Sequence, residues 1–192
     1  MSRSTTSKSL LTLVEGGIIV AICLVLQWIP NSTGVSSIQF SYGLIPLAIY
    51  AIRRGTIPAV IAGGIWGTLD WIRTGGGVTF GPQQIILEYP VAFALAGFVG
   101  LGTYQVVKAI KHDKLNRAYG LMLVYFAIGT FAKYLAHFIA GGWFWGAYAP
   151  KWANPWVWSL IVNGGSAVAN IILAVVLFGI LIKKYPKLFL TN

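Results

Sequence analysis

Residues 85–97 read IILEYPVAFALAG, a long apolar run headed by one acid, Glu88, with Tyr89 and Pro90 directly after it. An ionised carboxylate placed where hydrocarbon would surround it costs about 2.5–3.5 kcal/mol on insertion scales, so it faces a bundle interior or a wet cavity and meets a partner there. The run therefore belongs to a membrane-embedded helix, and Glu88 is the first functional candidate.

The rest of the composition agrees with a bilayer setting. Of 192 residues, 57% are hydrophobic and 9% are charged, against about 25% charged in globular chains. The net charge of +10 could suggest nucleic acid, but the bases lie between apolar segments and form no stripe, which fits a membrane-topology signal better. The one cysteine, Cys23, excludes an intramolecular disulfide and a CxxC site and reads as a packing residue. The N-terminus carries Arg3 and Lys8 ahead of an apolar run, as a signal peptide would. That run continues through Trp28 without a small-x-small cleavage site, so a retained first membrane helix is expected.

Outward from residues 85–97, six apolar segments can be drawn: about 9–29, 42–52, 56–72, 83–107, 118–141 and 156–182. A span needs about 20 residues, so 42–52 is short. Gly63, Gly64 and Gly67 in the third segment allow close helix approach. Pro90 does least damage if the fourth helix begins near Leu87, and kinks it if it begins earlier. The uncharged loop 31–41, NSTGVSSIQFS, suits an ordered outer loop or a cover over a cavity, and Gly75-Gly76-Gly77 breaks the chain before the fourth segment.

With the N-terminus inside, the inner regions hold Arg3, Lys8, Arg53, Arg54, Lys108, Lys111, Lys114, Arg117, Lys183, Lys184 and Lys187, against Arg73 and Lys151 outside. The expected fold is an all-α integral membrane bundle of six transmembrane helices with both termini cytoplasmic, residues 1–192 forming one domain. Glu88, the triglycine loop and the aromatic run after segment five then share the outer side.

Segment five carries Lys133, His137 and Gly141 at spacings of four, which aligns them on one helical face. His137 could hydrogen-bond a neighbouring helix or meet a ligand, and Lys133 reads as structural or coupling-related. The following run, with Trp143, Phe144, Trp145, Tyr148, Trp152, Trp156 and Trp158, exceeds what an interfacial aromatic belt requires. Indole faces, one carboxylate and one imidazole together suit a cationic heteroaromatic ligand. Asn163 offers donors and an acceptor at the outer end of the last helix, for a ligand or another helix. Asn170, about 10 Å deeper by helix rise, reads as packing. Asp70 and Trp71 could line a pocket or form a helix-end pair. Gly17 and Ala21 make a small-xxx-small pair on the first helix. No GxxxxGK[ST] motif occurs, so the chain is not itself a P-loop ATPase.

LEYPVAFALAGFVG, the series His137, Gly141, Trp145, then WGAYAPK and VNGGS resemble the thiamine-specific substrate-binding subunit, or S-component, of energy-coupling factor (ECF) vitamin importers, the ThiT family. TGVSSIQFSYGLIP and RRG in the first third look similar as well, so the resemblance spans nearly the whole chain. It implies a six-helix bundle in the cell membrane of a prokaryote that captures thiamine from outside. The bundle would pass thiamine on with a transmembrane coupling subunit and two ATPases; thiamine is cargo and no cofactor is implied.

By the same resemblance Glu88 hydrogen-bonds the aminopyrimidine with Tyr89 beside it. His137 contacts the ligand, Gly141 belongs to the same series, Trp145 stacks, and Asn163 is a polar contact. Trp158 stands where relatives carry a tyrosine and would stack without a phenol hydroxyl. Ile38 and Phe40 are the nearest candidates for a contact from the first outer loop, and Gly17 and Ala21 would meet the coupling subunit.

Three other readings compete. An S-component for a vitamin such as riboflavin would leave the buried acid without a cationic counterpart. A small intramembrane enzyme using Glu88 and His137 as acid and base would lack a GxSxG nucleophile and a second outer carboxylate or metal cluster. A passive channel or structural membrane protein would not need so many aromatics around one acid.

Overall fold

The structure is a computed structural model that describes residues 2–32, 38–75 and 80–191. Part of the expected outer cover, 33–37, and Gly76 and Gly77 of the triglycine loop lie outside the described residues. The described chain forms six helical rods: α1 Ser2–Leu26, α2 Leu44–Arg54, α3 Thr56–Arg73, α4 Pro82–Lys111, α5 Leu115–Phe144 and α6 Pro155–Lys184. Short 3-10 turns follow at Gly146–Tyr148 and Pro186–Phe189. Among the described residues there is no strand, only an isolated antiparallel bridge between Ser32 and Gln39.

Four rods, α1 over Lys8–Leu26, α4, α5 and α6, are long and apolar enough to cross a membrane. Helix α2 has 11 residues and at about 1.5 Å per residue covers roughly half of a hydrocarbon core of about 30 Å. It ends at Gly55, whose φ of +92° lies in the region that glycine adopts without steric cost. The Gly55 N–H closes α2 on the Ala51 carbonyl at 2.8 Å, and the chain reverses into α3.

Helix α4 is not regular, and the reason is Pro90. The rod begins at Pro82, well before Leu87, so Pro90 falls inside it. Proline supplies no N–H and crowds the carbonyl four residues back, here that of Ile86. The chain widens into a π-turn over Leu87–Val91, returns to α-helix over Ala92–Ala96, tightens to 3-10 over Gly97–Gly102 and resumes as α-helix from Thr103. Such π-turns re-aim side chains and gather at functional positions; this one carries Glu88 and Tyr89. Helix α3 braces it closely, because a Cβ at Gly67 would strike the Tyr89 backbone carbonyl and one at Gly63 that of Phe93.

The core lies between these rods. Trp66 of α3 is fully buried and meets Phe93 edge to face at 4.6 Å, and Phe126 of α5 meets Phe178 of α6 at 5.3 Å. Cys23 is buried and donates its thiol to the Gly43 carbonyl at 3.2 Å, a packing role. Helix α1 is peripheral: 17% of its apolar window is buried, and Gly17 and Ala21 are on its exposed side.

Polar groups gather at the two ends of the bundle. At one end Glu15 bridges Arg53 and Arg54, the latter at 2.6 Å, and Arg53 also donates to the carbonyls of Leu188, at 3.0 Å, and Leu190. At the other end lies a cavity.

Candidate functional site

The cavity holds about 540 Å³. Helices α3, α4, α5 and α6 and the segments after α1 and after α5 line it: Gln27, Asn31, Gln39, Phe40 and Ser41; Asp70, Arg73 and Thr74; Glu88, Tyr89 and Phe93; Lys133, Tyr134, His137 and Gly141; Trp145 and Tyr148; and Trp158, Ser159, Val162, Asn163 and Ser166. Thus the seven ligand-contact candidates, Glu88, Tyr89, His137, Gly141, Trp145, Trp158 and Asn163, stand on one wall system. Gly17 and Ala21 are elsewhere, and a Cβ at Gly17 would meet nothing within 4 Å.

Glu88 sits in the π-turn with both carboxylate oxygens engaged. The Gln84 side-chain amide, one turn earlier, donates to Oε2. The Trp145 indole N–H donates to Oε1 at 2.8 Å, and the same indole meets Phe80 edge to face at 5.1 Å and Tyr148 at 5.6 Å. Both donors are neutral; they orient the carboxylate, and among the described residues no cationic side chain forms an ion pair with it.

Lys133, the other ionisable side chain on the α5 face of His137, makes its close contacts with that imidazole and with two rings. It is 3% exposed, with Nζ 3.1 Å from His137 Nε2 and 4.4 Å above the ring centroids of both Phe93 and Tyr134. Among the described residues the ion pairs are Arg53–Glu15, Arg54–Glu15 and Arg73–Asp70, and none joins Lys133 to Glu88. Ring faces stabilise a buried ammonium, so Lys133 is held as part of the α5 wall together with His137.

Of the two sequence readings of Asp70 and Trp71, Asp70 takes the first and finds its helix-end partner in Arg73. It lines the cavity, pairs with Arg73 at 2.9 Å and accepts from Gln27 at 3.4 Å. The Arg73 guanidinium lies 5.7 Å over the Trp28 ring, which ties α3 to the chain just after α1. Trp71 is not among the lining residues, and its buried indole nitrogen has no hydrogen-bond partner among the described residues.

On α6 the Asn163 amide donates to the Ser159 carbonyl at 3.0 Å and hydroxyl at 3.1 Å, and Ser159 donates to the Phe138 carbonyl of α5 at 2.7 Å. No hydrogen bond to Asn163 Oδ1 forms among the described residues, so it remains an open acceptor. Gly141 permits this helix pair, since a Cβ there would meet the Ser159 hydroxyl. Trp158 lines the cavity and contacts Trp152 edge to face at 5.9 Å. Of the two loop candidates, Phe40 lines the cavity, whereas Ile38 packs against Gly165.

Sequence reading passed over Gln84, which is 1% exposed and holds the Glu88 carboxylate. Its position four residues before the acid was the available signal. Ser166, three residues after Asn163 on α6, shares its helical face and carried the same kind of signal; Gln27, Asn31, Ser41 and Phe80 carried none, because only the packed loops bring them to the cavity or to Trp145. The Glu88 carboxylate, held by neutral donors, with an imidazole, several indole and phenol faces and one open amide acceptor, can hold a flat cation bearing hydrogen-bond donors, while the second carboxylate, Asp70, is taken up by Arg73.

The family model described as "Thiamine transporter protein (Thia_YuaJ)" matches residues 13–190. The thiamine transporter ThiT of Lacticaseibacillus paracasei is 50% identical over 187 residues, covering 96% of this chain and 93% of that one. ThiT of Bacillus subtilis is 29% identical over 185 residues, 95% of each. A solved structure of ThiT from Listeria monocytogenes superposes with a TM-score of 0.89 at 37% identity, covering 96% of this chain and 100% of that chain. These similarities run through every helix that borders the cavity, and the chain belongs to the thiamine transporter (Thia_YuaJ) family, membrane proteins that are transporters and not enzymes.

Proposed function

We propose that this chain is the thiamine-capturing S-component of an ECF-type ABC importer. The observation that carries the reading is Glu88, a carboxylate oriented by two neutral donors inside an aromatic cavity, with no cationic side chain paired to it among the described residues. Thiamine supplies what is missing: a permanent positive charge, and an aminopyrimidine that donates to a carboxylate. A charge-assisted hydrogen bond of this kind is roughly twice as strong as a neutral one.

In this reading Glu88 accepts from the aminopyrimidine, with Tyr89 beside it. His137 and Trp145 cover the rings, Trp158 adds a stacking face, and Asn163 Oδ1 accepts a further hydrogen bond. Gly141 lets α5 and α6 approach closely enough to present these groups together. Trp145 also keeps Glu88 oriented, a role beyond stacking.

The protein is read as one six-span domain of a bacterial cell membrane with both termini cytoplasmic. The basic loops support this, and so does the gathering of Arg53 and Arg54 at the end of the bundle away from the cavity. Energy comes from partner subunits, a transmembrane coupling protein and two ATPases, since this chain carries no P-loop motif. Gly17 and Ala21, on the exposed side of α1, form the small-residue patch against which the coupling subunit packs.

Titrating the purified protein with thiamine, its pyrimidine and thiazole fragments, thiamine diphosphate and riboflavin tests the assignment. Saturable binding of thiamine above riboflavin is expected; no binding of any thiamine-like ligand overturns it.

A further inference from the structure

Asn170 lies about two turns below Asn163 and does not line the cavity. It is 1% exposed, in the middle of an apolar helix where an amide is disfavoured unless its groups are paired. Its Oδ1 accepts from the Ser41 backbone N–H at 2.8 Å. Its Nδ2 lies 2.9 Å from the Gln39 carbonyl, 3.0 Å from the Tyr134 hydroxyl and 2.8 Å from the Ser166 carbonyl. One turn higher, the Ser166 hydroxyl accepts from the Gln39 N–H at 3.0 Å. Side chains of α6 thus pair the backbone of a non-helical segment, as a neighbouring strand would.

Gln39, Phe40 and Ser41 form one wall of the cavity, and Tyr134, with Lys133 and His137, forms another. We propose that Asn170 is a positioning residue that locks these two walls together and so sets how long a bound ligand is retained. This rests on the reading of the cavity as the thiamine site. Without the clamp, the 39–41 wall can move away from α5 while the contacts on Glu88 and Trp145 stay intact, so dissociation accelerates more than association slows.

Stopped-flow tryptophan fluorescence with thiamine, thermal unfolding and amide hydrogen exchange test this on the full-length protein in detergent. Asn170→Ala should speed dissociation by about tenfold or more, the equivalent of about 1.4 kcal/mol, with association changed by less than about threefold. Exchange at the Gln39 and Ser41 amides should rise selectively in the ligand-free protein. Tyr134→Phe, which removes one acceptor, should move both readouts in the same direction by less.

Thr103→Ala is the control, since Thr103 donates to the Ala51 carbonyl at 3.0 Å near the other end of the bundle; it should lower Tm and leave dissociation unchanged. A wild-type dissociation rate in Asn170→Ala overturns the proposal, as does an equal acceleration in Thr103→Ala at matched Tm loss. If Asn170→Ala does not fold, Ser166→Ala is judged by the same criteria. If the wild-type protein fails to bind thiamine, the site reading falls, while exchange at Gln39 and Ser41 still decides whether the clamp exists.

Discussion

Replacing Glu88 by glutamine keeps the size and one acceptor oxygen of the side chain and removes its charge. In the unliganded protein the change is mild, because the Trp145 indole can still donate to the remaining oxygen and the neutral Gln84 amide can rotate to present its own oxygen to the new NH2. The cost therefore falls on the bound state. Truncating one member of a desolvated charge pair typically costs about 2–5 kcal/mol, so thiamine affinity should fall by about thirtyfold to several-thousandfold. The uncharged pyrimidine fragment exchanges a charge-assisted bond for a neutral one and should lose less, about 1 kcal/mol. Calorimetric titration of both ligands against wild type and Glu88→Gln isolates the charge term as the difference between the two losses. Equal losses for the charged and uncharged ligands would show that Glu88 acts only as a hydrogen-bond acceptor, and unchanged thiamine affinity would remove it from the site.

Trp145→Phe retains a ring face and loses the indole N–H that donates to Glu88; a weakening of about 1.5–3 kcal/mol is expected by titration, and ligand-induced quenching of tryptophan fluorescence should shrink or vanish. Persistence of full quenching would assign the stacking to another indole such as Trp158. Gly67→Ala places a methyl against the Tyr89 carbonyl and should lower Tm through about 1–3 kcal/mol of overpacking, with thiamine affinity falling as the π-turn shifts; an unperturbed Tm would mean that α3 does not brace Glu88. At Gly17, which is exposed, an added Cβ meets nothing within 4 Å, so Gly17→Leu should leave stability and thiamine binding at wild-type levels, while uptake in cells supplying the partner subunits should drop. Full uptake would remove α1 from the coupling surface.

Much of the fold was legible because a bilayer imposes few choices: each apolar run must satisfy its backbone internally and so becomes a helix. The segments drawn at 118–141 and 156–182 lie inside Leu115–Phe144 and Pro155–Lys184. The helix of residues 85–97 was less so. Its local distortion depends on where the helix starts, and Pro82 begins it early enough to put Pro90 in the interior, where a π-turn absorbs the missing hydrogen bond.

The site divides the same way. Types of residue that are costly in a membrane, Glu88, Lys133, His137 and Asn163, identify themselves by that cost, and helical spacing aligns those of α5. Pairing does not follow from type. The sequence alone determined that one apolar helix carries an acid near its head, and that aromatic and polar residues on two later helices accompany it. Only the tertiary structure decided that Lys133 lies against His137 and two ring faces, leaving Glu88 to Gln84 and Trp145. It likewise decided that Asn170 secures the wall at 39–41. The physical reason is range: burial cost and helical period act through a residue and its near neighbours in the chain, whereas which donor meets which acceptor is set by how distant helices and loops pack together.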